Sequence, residues 1–130
     1  MFSHISVGIT DFDRALHFYD RLFAVLGIEQ RFCDPGLPWA GWHSAGATRP
    51  FFVIGKPFDG NPHDAGNGQM SAFLAESREQ VRQAHAAALA AGGTCEGEPA
   101  LRLHYHPNYF GAYFRDPDGN KLCVVCHQAE

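Results

Sequence analysis

Two stretches decide the fold: His4–Gly27, "HISVGITDFDRALHFYDRLFAVLG", and Met70–Gly93, "MSAFLAESREQVRQAHAAALAAGG". They align without a gap at an offset of 66 residues, position 4 on position 70. Few residues are identical, but the grammar repeats. Each stretch opens on an apolar strand. Each then offers a helix N-cap, Asp11 or Ser77, whose side-chain oxygen can take an orphan N–H of the first turn. Ser77 with Gln80 also fits a capping box. Phe12, Ala15, Leu16, Tyr19, Leu22, Phe23 and Leu26 then recur at helical spacing in the first copy, and Val81, Ala84, His85, Ala88 and Leu89 in the second. The copies are expected to close their helices at Gly27 and Gly93, where a left-handed cap costs a residue without Cβ least.

Three strand-like segments follow each helix, near 28–34, 38–44 and 50–56, then near 94–98, 109–115 and 120–127. The chain therefore reads as α+β, two βαβββ modules at 1–56 and 68–130 joined by a Gly/Pro/Asn-rich linker at 57–67. One helix per module covers one face of its sheet. The other face must meet a ligand, the other module or a second chain. Residues 99–108, "PALRLHYHPN", read as an irregular loop rich in aromatic and imidazole groups.

The bulk properties narrow the function. With 130 residues, 10 Lys plus Arg and 14 Asp plus Glu, the chain carries a formal charge of −4. Its positive charges are scattered, so no nucleic-acid partner is expected. No apolar run nears the roughly 20 residues of a membrane span. The N-terminus reads as a strand rather than a signal peptide, and a cytoplasmic location is expected. Cys33, Cys95, Cys123 and Cys126 are then expected to be reduced. Cys123 and Cys126 have redox-motif spacing, but on a strand residues three apart face opposite ways, and no helix N-terminus lowers a thiol pKa there. "DPDGN" at 116–120 reads as a tight turn, since it lacks the length and the later Glu of a calcium loop.

Three segments carry a resemblance: the opening strand and helix, "GNGQMSAFLAESREQV" (66–81) and "YHPNYFGAYFRDPDGNKL" (105–122). Over nearly its whole length the chain resembles the vicinal oxygen chelate superfamily of glyoxalase I, bleomycin-resistance proteins and extradiol dioxygenases, in a glyoxalase-like subgroup. The resemblance implies sheets that curl around a shared cavity. In enzymatic members a divalent metal sits there and chelates two adjacent oxygens. It also implies which residues should hold that metal. The first-strand ligand falls on His4, which matches. Its counterpart in the second module falls on Met70, where members commonly have His. The last-strand ligand falls on Cys123, where they commonly have Glu, and Phe51–Gly55 offers no ligand. One standard ligand of four remains, so no metal cofactor is expected.

Two readings follow. In the first the protein is a metal-free small-molecule binder with a degenerate metal site, its cavity lined by His4, Trp42, Met70, His106, Tyr113 and Cys123. In the second it is a metal-dependent lyase or dioxygenase-like enzyme with an altered site that uses His4 and His104 or His106. A homodimer is expected, because a half-barrel sheet edge and an aromatic cavity leave apolar surface for a second copy to cover.

Overall fold

The computed structural model describes residues 1–130 and shows the repeated module. The first comprises β1 (His4–Gly8), α1 (Phe12–Leu26), β2 (Ile28–Asp34), β3 (Trp39–Ser44) and β4 (Phe51–Gly55). The second comprises β5 (Ser71–Leu74), α2 (Arg78–Ala90), β6 (Thr94–Leu101), β7 (Phe110–Arg115) and β8 (Lys121–Cys126). Each forms its own four-stranded mixed sheet, in the orders β1-β4-β3-β2 and β5-β8-β7-β6. The registers repeat as well. Ser6 lies beside Val53 in the parallel β1–β4 pair, and Ala72 beside Cys123 in the parallel β5–β8 pair. The offset of 66 maps Ser6 onto Ala72, so Val53 and Cys123 occupy equivalent places.

Both N-caps form as the sequence indicates. Asp11 accepts from the Arg14 amide and Ser77 from the Gln80 amide, each at 3.0 Å. The Gln80 side chain reaches back one residue further than a capping box requires, accepting from the Glu76 amide, just before the cap, at 2.7 Å. Helix α1 ends as expected at Gly27, with φ of 66°. Helix α2 ends differently: it stops at Ala90, Ala91 caps it, and Gly92 takes the positive φ of 103°. Gly93 is needed for another reason. A Cβ there would lie 2.8 Å from the Ala88 carbonyl oxygen and 2.9 Å from that of Arg115. Strand β6 also runs to Leu101, three residues past its expected end, and shortens the irregular loop to 102–109.

One core spans both modules. Tyr19, Phe23, Trp42, Phe52 and Phe73 pack ring against ring, and Phe18 meets Phe114 from the second sheet. The 116–120 turn ties the modules together with polar bonds. Asp118 accepts from the Thr10 amide at 3.0 Å and from Arg14 Nη2 at 2.9 Å. Asn120 Nδ2 donates to the Gly8 carbonyl at 2.9 Å. The buried Asp116 carboxylate accepts from Tyr19 Oη, Asn120 Nδ2 and two backbone amides. Burial, reinforced by the Asp116 charge, holds the Tyr19 hydroxyl well above the ordinary tyrosine pKa.

Candidate functional site

Strand alternation sorts each sheet into a helix face and an outer face. On the first sheet Ala40, Trp42, Phe52 and Ile54 belong to the core, while His4, Ser6, Trp39 and Val53 line outer-face pockets. On the second, Leu122, Val124 and Cys126 belong to the core, and Cys123 and Val125 are buried outside it. Cys123 and Cys126 thus point opposite ways, and all four thiols are free. No strand of one sheet bonds to the other sheet.

Cys123 has an aromatic cover. Tyr109 Oη is 3.0 Å from Tyr113 Oη and 3.7 Å from Cys123 Sγ. Burial pushes the Cys123 thiol up, and it pushes Tyr109 and Tyr113 up as well. At neutral pH this trio is an uncharged hydrogen-bonding surface. Lys121 Nζ and the Arg102 guanidinium lie 5.8 and 5.5 Å from the Tyr113 ring centre, so cationic groups border it. The loop before β7 adds imidazoles. His106 Nδ1 accepts from the Asn108 amide at 3.1 Å, which leaves Nε2 as the protonated nitrogen of a neutral ring. That nitrogen sits 2.8 Å from His127 Nδ1, and the two rings stack at 5.1 Å. Tyr105 and Tyr109, 4.7 Å apart, continue the cluster to His104.

Of the residues expected to share a cavity, His106, Tyr113 and Cys123 fall within this one cluster, joined through Tyr109. The others lie elsewhere. His4 is exposed, with Ser3 Oγ 3.0 Å from its Nδ1, in a depression of about 360 Å³ lined wholly by module-one residues that include Phe32, Trp39, Arg49 and Phe51. Met70 is 46% exposed just before β5, in a separate groove with Ile5, Gln69 and Asn120. Trp42 does not face a cavity: it is buried in the core, and its Nε1 donates to Asp20 Oδ1 at 3.2 Å. Trp39, of opposite strand parity, lines a depression of about 490 Å³ with Leu37, Val53 and Phe58. Tyr109 and His127 belong in the cluster too. Their signal was the strand alternation that groups Tyr109 with Tyr113, and Cys123 with His127. The linker supplies His63, which the sequence did not mark; its Nε2 bonds Asn120 Oδ1 at 3.0 Å.

Two βαβββ modules with a histidine opening the first strand define a vicinal oxygen chelate fold. The family model of the Glyoxalase/Bleomycin resistance protein/Dioxygenase superfamily matches residues 1–124, and the chain belongs to that superfamily. Its structure is similar to a glyoxalase/bleomycin resistance protein from Albidiferax ferrireducens T118, at 38% identity, over 98% of this chain and 99% of that one, with a TM-score of 0.83. A glyoxalase-related enzyme from Fulvimarina pelagi, 18% identical over 97% of this chain and 87% of that one, superposes with a TM-score of 0.75. A glyoxalase/bleomycin resistance protein/dioxygenase family enzyme from Burkholderia phytofirmans PsJN, also 18% identical, does so over 97% and 98% with a TM-score of 0.73. At that identity the likeness is one of fold. No protein with a curated description matches the chain.

Members of this superfamily often bind a divalent metal, which asks for imidazole and carboxylate donors. The resemblance assigns the ligand positions to His4, Met70 and Cys123, and the repeated register makes Val53 the counterpart of Cys123. That set offers an exposed imidazole, an isopropyl group, a thioether and a buried thiol, and it does not fit such an ion.

Proposed function

We propose that the protein is a small-molecule binder of the glyoxalase/bleomycin-resistance kind whose superfamily metal position has degenerated. The observation that carries this reading is the state of Cys123. A carboxylate ligand at this position would need an open approach to a metal. Instead the thiol is fully buried, with Tyr109 Oη 3.7 Å away and Tyr113 beside it. The ligand surface is the tyrosine and imidazole cluster bordered by Arg102 and Lys121. Its chemistry favours a planar or aromatic molecule with an anionic group: rings stack on the tyrosines, and the two cations attract the charge. His4, Met70 and Trp39 belong to the companion surface of module one. A second copy of the chain brings such surfaces together in a homodimer. Exposed Leu37, Trp39, Met70, Leu74 and Leu103 support that arrangement.

The test is thermal shift and calorimetry with a panel of aromatic carboxylates, matched aliphatic carboxylates and neutral aromatics, without added metal. Aromatic anions should bind best, and Tyr113→Ala should weaken them about tenfold, the worth of one stacked ring. Equal binding by all three classes, or none, overturns the assignment. A metal-dependent lyase or dioxygenase-like activity using His4 is the competing reading; its support is the retained histidine on β1.

A further inference from the structure

A second cluster lies on the helix side of the second sheet. His85, on the buried face of α2, places Nε2 3.3 Å from Cys95 Sγ at the start of β6. Cys95 Sγ is in turn 3.5 Å from Glu98 Oε1, and His85 Nδ1 is 3.9 Å from Glu98 Oε2. From these contacts we propose that His85, Cys95 and Glu98 form a zinc-class metal site with three protein ligands and a fourth position open to solvent.

The backbone explains how the site is assembled. On a regular strand Cys95 and Glu98, three apart, would face opposite ways. A register shift between Cys95 and Gly97 breaks the alternation. Cys95 pairs with Phe114, whose ring is in the core, whereas Gly97 pairs with Tyr113, a member of the outer-face cluster. The bulge thus returns Glu98 to the side of Cys95. Helix α2 supplies the imidazole from the same face as Val81, Ala84 and Ala88, and the ring is fixed edge-on against Phe114 at 6.2 Å.

The two edges that meet at the sulfur suit a tetrahedral ion. Zinc bonds of about 2.3 Å to sulfur and about 2.1 Å to nitrogen and oxygen give ligand–ligand edges of about 3.5 Å. The observed N···S and S···O separations are 3.3 and 3.5 Å. The ligand atoms of the three residues all lie within 4.8 Å of one another.

Charge points the same way. No lysine or arginine pairs with the Glu98 carboxylate. Arg115 is taken by Glu96, and Arg102 Nη2 donates to the Glu98 backbone carbonyl instead. A thiol, an imidazole and a carboxylate converge with no protein cation among them. A divalent ion that displaces the thiol proton would satisfy all three lone-pair donors, and binding would release that proton to solvent. His85 is 5% exposed and the Glu98 side chain 77%, so the ring is fixed and the carboxylate side is the route of entry.

The test is cobalt(II) titration of reduced, untagged protein, read by thiolate-to-cobalt charge transfer. Wild type, Cys33→Ser and His4→Ala should each take one equivalent and give the band. Cys95→Ser should lose it, and Glu98→Gln, changed at an exposed side chain that leaves the core alone, should bind about tenfold or more weakly. Zinc should raise the wild-type melting temperature and leave that of Cys95→Ser unchanged. No charge-transfer band in wild type, or one that survives in Cys95→Ser, overturns the site.

Discussion

Replacing Tyr19 with Phe should cost about 2 kcal/mol of stability. Tyr19 belongs to α1 of the first module and is fully buried, and its hydroxyl donates to the Asp116 carboxylate of the second. Phe keeps the ring contacts with Phe23, Trp42 and Phe52, so little apolar burial is lost. What goes is one buried hydrogen bond to a charged acceptor, worth about 1.5–3 kcal/mol. Asp116 Oδ2 keeps Asn120 Nδ2, at 2.8 Å, which limits the loss. For a chain of this size about 2 kcal/mol corresponds to a fall of about 8 °C in Tm.

A second signature is alkaline. The folded-state Tyr19 pKa is raised, first by burial and then by the Asp116 charge. In the unfolded chain it titrates near about 10. Its contribution is therefore fully present below about pH 10 and is lost as pH rises above that value, because the unfolded chain gives up a proton that the native state keeps. The lost stability grows by about 1.4 kcal/mol per pH unit, and Tyr19→Phe should remove that share of the slope. Urea unfolding from neutral to alkaline pH measures both effects. An unchanged midpoint at neutral pH together with an unchanged alkaline slope would refute the proposed cross-module bond.

Restoring Met70→His and Cys123→Glu together should create divalent-metal affinity across the proposed dimer, measured by calorimetry with nickel or manganese; no binding would show that these positions do not converge. In the native protein Cys33 should react with a disulfide reagent well before Cys123 and Cys126, because it is exposed and they are buried; counting thiols before and after denaturation checks this. Sedimentation at micromolar concentration should show a dimer, and a lone 14.3 kDa species would remove that claim.

The fold was legible because its signals are local and occur twice. The caps at Asp11 and Ser77, the helical spacing and Gly27 repeat a single grammar. What the sequence left open was governed by parity and packing. A one-residue choice of phase decides whether Trp39 or Trp42 meets the core, and the register of β3 with β4 settles it by setting Trp42 beside Phe52. The repeat pointed to Gly93 as the cap of α2, but Gly92 supplies the backbone conformation and Gly93 the room. The Cys95–Glu98 approach depends on a bulge, and strict alternation predicts its absence. The tyrosine and imidazole cluster was half visible: alternation grouped Tyr109 with Tyr113 and Cys123 with His127, but the stacking of His106 on His127 depends on the course of the 102–109 loop.

The most direct test of the central claim is elemental analysis of untagged wild-type protein beside His4→Ala and Cys95→Ser. The account predicts no iron, manganese, nickel or zinc that depends on His4, and it assigns any bound zinc to the Cys95 site. One equivalent of divalent metal that disappears in His4→Ala and persists in Cys95→Ser would contradict it and move the protein to the metalloenzyme reading.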